Sequence, residues 1–505
     1  MVRLKALVLI FLALVLSFSS CSGLPKPGGG GGGGTTTLNL TTAASTPSAS
    51  PSILSFQVTV TGITLTPSSG TAVSLTLNPA PVVELMRLQS DSALIGSFAA
   101  VPAGTYANIV VALANPKITF LNNTAGTVSG CLSGAVCTTS PAAAGSATIS
   151  SAPFPITLSA NGKQGLGLLF NLNNAVSISG GNISVNLSNA TPSTSVLSAI
   201  TLPRPGSVLA SGQLDLIEDF TGVVTAISGS AVTVKSATRG TLLANSTSTT
   251  NFDQNPDPSN PTCTTLAFSC VALNQVASID AVLNSDGTSS LQEFEPLLTA
   301  PADIVEGTVV SITSSNLTQF EIVTSEKVQA ATSSLIGGLN VGDLLVVNIP
   351  SPKPFVADKK GLAIPPASLA FIQGQTDSAP LRLGQTVAVH LTSFTAASGT
   401  TPASANADTL ILRWSRLTAT AATPISTALF NVTSLPAYFN LAAATTIEAQ
   451  LFTGTPGTDG VSNLDGISDG TGLTAGAPVA IRALFIENGT NSATPAFFAA
   501  KVRKP

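Results

Sequence analysis

Charge is what this chain lacks most. Only 9% of its 505 residues are Asp, Glu, Lys or Arg, against about 25% in an ordinary soluble protein. The charges also nearly cancel, 20 bases against 24 acids giving a net −4. A nucleic-acid partner needs a concentrated basic face to neutralise phosphates, and twenty bases scattered over this length do not supply one. One histidine, two methionines, one tryptophan and two tyrosines leave few parts for acid–base, metal or ring-stacking chemistry, which argues against a histidine-rich metalloenzyme. The apolar run Ala6–Leu16 is too short to span a bilayer comfortably, and the composition excludes a multi-span membrane protein.

That run has another use. It follows Arg3 and Lys5 and has the length of a signal-peptide core. Ser17-Phe18-Ser19-Ser20-Cys21 comes next, small residues before a cysteine, which resembles the lipobox of bacterial lipoproteins, with Phe18 where leucine is usual. The resemblance implies that residues 1–21 are a lipoprotein signal peptide and that Cys21 carries the lipid; an ordinary cleaved signal peptide with an incidental cysteine is the alternative. Ser22, where an aspartate resembles a retention signal for the inner membrane, points to the outer membrane, with the side of it left open.

Five cysteines are an odd number, which an exported protein must explain. With Cys21 acylated, Cys131 and Cys137 form one local pair and Cys263 and Cys270 a second. Both are expected as short-loop disulfides in an oxidising compartment; a four-cysteine metal site would want C-x-x-C spacing. After Cys21, Gly28–Gly34 and a Thr/Ser/Ala/Pro stretch cannot build a core, so residues 22–52 read as a flexible tether.

From Ser52 onward the apolar period is two, as in Ser55–Thr61, Ala72–Leu77 and Ile183–Leu187, with Gly, Pro, Asn and Ser clusters between runs. This is the pattern of half-buried antiparallel strands. The fold class is all-β: an N-terminal antiparallel sandwich over residues 53–203, then about three small barrel-like modules at 204–300, 301–417 and 418–505. Internal similarity carries the second half. Phe220-Thr221-Gly222-Val223-Val224-Thr225-Ala226-Ile227 is echoed by Val305-Glu306-Gly307-Thr308-Val309-Val310-Ser311-Ile312. The turn Leu381-Arg382-Leu383-Gly384-Gln385-Thr386-Val387 matches Leu473-Thr474-Ala475-Gly476-Ala477-Pro478-Val479, and Leu339-Asn340-Val341-Gly342-Asp343-Leu344 is a further copy.

Three segments of the first module, Val82–Gln89, Val101-Pro102-Ala103-Gly104-Thr105-Tyr106 and Leu168–Leu172, resemble a bacterial lipoprotein domain of unknown function carrying V-[DE]-L-x-x-L and V-P-A-G-x-Y. The resemblance covers about residues 53–200 and implies an immunoglobulin- or transthyretin-like sandwich. The later modules resemble uncharacterised OB-like barrels that accompany it. Neither family implies an activity. In physical terms Pro102 and Gly104 preset a tight corner, and Tyr106 folds onto the sandwich with its hydroxyl bonding backbone. Glu84 interrupts an apolar strand and is expected to face outward, with burial beside Arg87 as the alternative.

Candidate chemistry is sparse. Asp459, Asn463, Asp465 and Asp469 are oxygen donors separated by glycines, which suits Ca²⁺, although the spacing is not that of an EF-hand; a solvated turn is the alternative, and no other cofactor is expected. Asn251, Asp253, Asn255 and Asp257 form a weaker copy. Gly466-Ile467-Ser468-Asp469-Gly470 fits the nucleophile elbow of hydrolases, but its setting is a loop and the sole histidine, His390, precedes it. Trp414 is the one tryptophan on which a sugar could stack. The leading functional reading is a non-enzymatic, lipid-anchored envelope protein whose β-modules serve structural, adhesive or binding roles toward envelope proteins or glycans. A polysaccharide- or peptidoglycan-binding module is the alternative, and a hydrolase the third reading.

Overall fold

The computed structural model describes residues 34–503 except 46–50, 78–79, 190–193, 205–208, 254–262, 299–302, 314–317, 330–335, 350–354, 359–380, 400, 425–428, 440–446, 452–474 and 487–495. Strands dominate the described residues, where helix is confined to single turns such as α1 (Leu172–Ala175). The all-β expectation holds, because alternating Val/Ile/Leu and Thr/Ser residues bury one face of each strand.

The first module is a sandwich. Its larger sheet is built on two long paired strands, β2 (Ser52–Pro67) and β6 (Gly104–Leu121). The short strands β3 (Val73–Leu75), β4 (Val82–Glu84), β7 (Val136–Thr139), β8 (Ala144–Ile149) and β9 (Ile156–Leu158) pair with them, while β11 (Val176–Ser179) and β12 (Asn182–Val185) form a separate hairpin. The smaller sheet has the order β13 (Leu197–Leu202), β10 (Lys163–Phe170), β1 (Thr35–Ala44), β5 (Ala93–Pro102). Phe56, Val58, Ile109, Val111 and Phe120 from the first sheet meet Leu38, Leu40, Leu166 and Leu168 from the second in one core. β1 corrects the tether expectation. Thr35–Ala44 is an interior strand with Leu38 and Leu40 fully buried, parallel to β10 and antiparallel to β5. Its threonines and alanines, taken as linker composition, fit the half-polar ground between this sheet and the next module.

Three barrels follow with one strand path. The first is β14 (Gln213–Ser228), β15 (Ala231–Lys235), β16 (Thr241–Phe252), β17 (Val276–Asn284) and β18 (Ser289–Leu298). The second uses β19 (Ile304–Ile312), β20 (Gln319–Val328), β21 (Leu344–Asn348), β23 (Thr386–Thr395) and β24 (Ala403–Arg413), with β22 (Phe355–Ala357) added beside β24. The third uses β25 (Ser415–Pro424), β26 (Leu429–Thr433), β27 (Ile447–Leu451), β28 (Pro478–Phe485) and β29 (Phe497–Arg503). In each, the first strand pairs antiparallel with the second and fourth, and the third runs parallel to the fifth to close the ring. Five strands with a Greek-key return make the small barrel that OB-folds share. The second and third barrels are joined by Trp414 alone, so Ser415–Leu417, expected in the second, begin the first strand of the third.

The repeated glycines have structural reasons. A Cβ on Gly222 would lie 2.3 Å from the Lys235 carbonyl oxygen, and one on Gly307 would lie 2.5 Å from that of Val323. At both, the second strand crosses so closely that only a hydrogen fits. In the third barrel the place aligned with the fourth strand in the same way belongs to Ala419, opposite Val479 as Gly307 is opposite Val387. The turn glycines before the fourth strand, Gly384 and Gly476, have φ of +85° and +78°, and in the first barrel the position is held by Asn274 at +63°. Asparagine is one of the few residues that tolerates this region, which hid the copy from sequence comparison. Its bonds repeat: Asn274 N–H donates to Val224 O as Gly384 N–H donates to Val309 O, and Gln275 and Gln385 accept from Ala272 and Arg382 N–H. Gly307→Ala is expected to lower stability by about 1–3 kcal/mol through overpacking, read as a reduced urea midpoint; an unchanged midpoint would show that β20 can move aside.

A buried ionic junction as the candidate functional site

Many of the few charges of this chain lie away from water. Seventeen charged side chains are buried among the described residues, twelve of them acids, and most gather where the sandwich and the three barrels meet. Placing an ion away from water costs several kcal/mol unless it is paired and hydrogen-bonded, so their arrangement decides whether the junction holds.

Arg416, at the start of β25, is its centre. Its Nε donates to Asp91 of the sandwich, and its Nη2 donates to Asp219 Oδ2 of the first barrel at 2.8 Å. Nη1 lies 3.7 Å from Glu306 Oε1 of the second barrel. One guanidinium of the third barrel thus faces a carboxylate from each of the other three modules, which the planar, multi-donor fork of arginine permits and a lysine ammonium does not. Burial alone would raise the Asp91 carboxyl, but Arg416 and then Arg482 and Arg239 outweigh it and hold it below the usual aspartate range.

Around this centre the pairings continue. Arg413 reaches Asp358, Glu295 at 3.4 Å and Glu306 at 3.4 Å. Arg87 donates to Glu306 at 2.9 Å from the sandwich side. Arg482 lies 3.0 Å from Glu218 and 3.2 Å from Asp219, and Lys501 bonds Glu218 as well. Arg239 donates to the carbonyls of Glu218 and Asp219 and, at 2.6 Å, to that of Ser92 in the sandwich. Glu218 and Asp219 are consecutive yet both buried because β14 bulges there: Asp219 has φ +46° and its N–H donates to Asp280 Oδ1 at 2.6 Å. A bulge redirects neighbouring side chains to one side.

The repeat explains the signs. Asp280 and Glu293 are cross-strand partners in the first barrel, and Arg482 and Lys501 occupy the matching pair in the third. Like charges directly opposite one another destabilise a sheet; the basic pair is met by Glu218 and Asp219 of the first barrel, and Asp280 also acts on Arg482. The bases of the third barrel and the acids of the first thus join these barrels in one arrangement.

Glu84 is a further correction. It does not face outward. It is 2% exposed, and its carboxylate accepts from the N–H groups of Phe56 and Arg87 at 2.7 and 2.8 Å. Burial pushes its carboxyl up to about 7, with the two backbone donors only partly offsetting it. A cavity of about 30 Å³ adjoins it, lined in part by Arg87, Trp414, Arg416 and Tyr438. That is room for about one water, against several hundred Å³ for a small-molecule site.

The other candidate residues are dispersed. Cys131–Cys137 and Cys263–Cys270 are both bonded, with S–S distances of 2.03 and 2.15 Å. Tyr106 is buried and its hydroxyl donates to the Pro102 carbonyl at 2.7 Å, with Gly104 at φ +155° between them. His390 pairs with Asp408 at 2.6 Å on a half-exposed sheet face. Trp414 is fully buried with the Arg482 guanidinium 5.6 Å from its ring, which corrects its assignment as a stacking platform for sugars. Asn251 contacts Asp253, while Asn255 and Asp257 lie outside the described residues. So do Cys21, Ser468 and the proposed calcium ligands Asp459, Asn463, Asp465 and Asp469. Among the described residues no cluster of three or more His, Cys, Asp or Glu could hold a metal ion.

No family model, curated protein or solved structure matches the chain.

Proposed function

We propose that the chain is a lipid-anchored protein of the bacterial cell envelope, held at the outer membrane through Cys21, and that it works without catalysis. Its four β-modules act as one body, a structural, adhesive or binding unit directed at envelope proteins or glycans. The observation that carries the reading is the contact of Arg416 with acids of three other modules. A cluster so shared, beside a cavity of about one water, serves to hold modules in register and gives a substrate no access. The basic residues, apolar run and cysteine of the N-terminus supply the anchor, and the glycines after it a spacer.

Labelling expressing cells with a fatty-acid analogue tests the anchor. The chain is expected to take up the label and pellet with membranes, and Cys21→Ser to lose the label and appear in the soluble fraction. An unlabelled native chain that keeps its full-length N-terminus would overturn the reading.

A further inference from the structure

The strand β1 stands apart in how it is attached. On one side it continues directly from seven glycines, Gly28–Gly34, and on the other it joins β2 through residues 45–51, which include Pro47 and Pro51. Neither of its sheet neighbours is close in sequence: β5 begins at Ala93 and β10 at Lys163. It is nevertheless an interior strand, registered with eight residues of β10 from Thr37↔Lys163 to Ala44↔Phe170, and with seven of β5.

Both faces of β1 are used. Leu38 and Leu40 enter the sandwich core. On the opposite face, Asn39 Nδ2 donates to the Ser285 carbonyl and Thr41 Oγ1 donates to Asp215 Oδ2, both in the first barrel. Ser97 Oγ of β5 donates to Asn39 Oδ1 at 2.7 Å. Without β1, the edges of β5 and β10 would face each other about 10 Å apart, two strand spacings, over an apolar floor and beneath a polar roof. The strand that fits is uncharged, with leucines facing one way and short polar side chains the other.

We propose that this slot is an exchange site and that its second occupant is β1 of another copy of the same chain. An identical strand inserted from a neighbour makes all of these contacts unchanged, so cis and swapped forms differ only in the connection between β1 and β2 and in the entropy of bringing two chains together. Seven linker residues reach about 23 Å when extended. Copies concentrated at one membrane surface would meet at a high effective concentration. That last step rests on the anchor proposed above; the exchange itself does not, and it is tested in solution.

Four secreted variants on a Cys21→Ser background are required: Asn39→Cys, Ser97→Cys, the double variant and one with a cysteine at an exposed control position. Positions 39 and 97 are registered partners, so a disulfide between them reports β1 seated in the slot. Refolded together at high protein concentration, the two single variants are expected to give a linked species of twice the monomer mass. A mixture of Ser97→Cys with Leu243→Cys, whose leucine is 52% exposed, is expected to stay monomeric. The double variant is expected to oxidise within each chain when refolded dilute and then to resist exchange. The proposal is overturned if the single variants remain monomeric while the double variant closes internally. It is also overturned if Ser97→Cys captures a synthetic 35–44 peptide bearing Asn39→Cys but never another chain. Light scattering on the chain with only Cys21→Ser gives a reading independent of the new thiols: dimer must increase with refolding concentration, and a monomer throughout contradicts exchange.

Discussion

Arg416→Met is expected to cost about 3–5 kcal/mol of stability, the range for removing one partner from a buried ion pair. The methionine fills much of the space, so lost packing contributes little and the effect reports charge. Asp91 then loses the guanidinium bonded to it, while Asp219 keeps its contacts with Arg413 and Arg482. Arg416→Lys is expected to recover only part of the loss, because one ammonium cannot reach acids of three modules. Adding Asp91→Asn to Arg416→Met should cost less than the two single changes summed, since the stranded charge has gone. Urea unfolding of the four variants measures this cycle, and strict additivity would show that Arg416 and Asp91 are not coupled.

Stability is expected to fall as the solution is made more basic, opposite to the usual course for a buried carboxylate paired with a base. Glu84 has an ordinary value of 4.5 and is held at about 7 by burial. The folded chain therefore keeps this proton where the unfolded chain has lost it. The contribution is fully present below about 4.5 and declines until about 7, by about 3 kcal/mol from that one group. Glu326, raised by its burial, acts in the same direction. Asp91, lowered on folding, has the opposite sign, and its contribution disappears as pH drops below the aspartate range. Maximum stability is therefore expected at roughly pH 4–5. Urea midpoints at pH 5 and pH 8 give the slope, and Glu84→Gln, which cannot ionise, should lessen it, Glu218 and Glu326, both raised by burial, retaining the remainder. An equal slope in that variant would place the titration elsewhere.

What the sequence disclosed, and what it hid, follows from where each signal lies. Alternation in Ser55–Thr61 and the echo of Phe220–Ile227 in Val305–Ile312 are local, and they mark strands and barrels directly. The cysteine pairs, six and seven residues apart, were legible for the same reason. β1 was hidden because TTTLNLTTAA has the composition of the linker before it, and only β5 and β10, far along the chain, make it a strand. The ionic junction was hidden because its members come singly from separate strands, where a charge usually faces water. One trace was present: Leu214-Asp215-Leu216-Ile217-Glu218-Asp219-Phe220 and Leu412-Arg413-Trp414-Ser415-Arg416-Leu417 set charges inside apolar strand runs. In a chain so poor in charge, acids in one repeat and bases in another signal contact between the repeats.

The central claim is that the sandwich and the three barrels are one cooperative body and not modules free to move on linkers. Differential scanning calorimetry on the chain from Ser22 onward tests it most directly. The account predicts a single transition whose calorimetric and van't Hoff enthalpies agree, resolved into several by Arg416→Met. Several independent transitions in the unsubstituted chain, unmoved by that substitution, would contradict it.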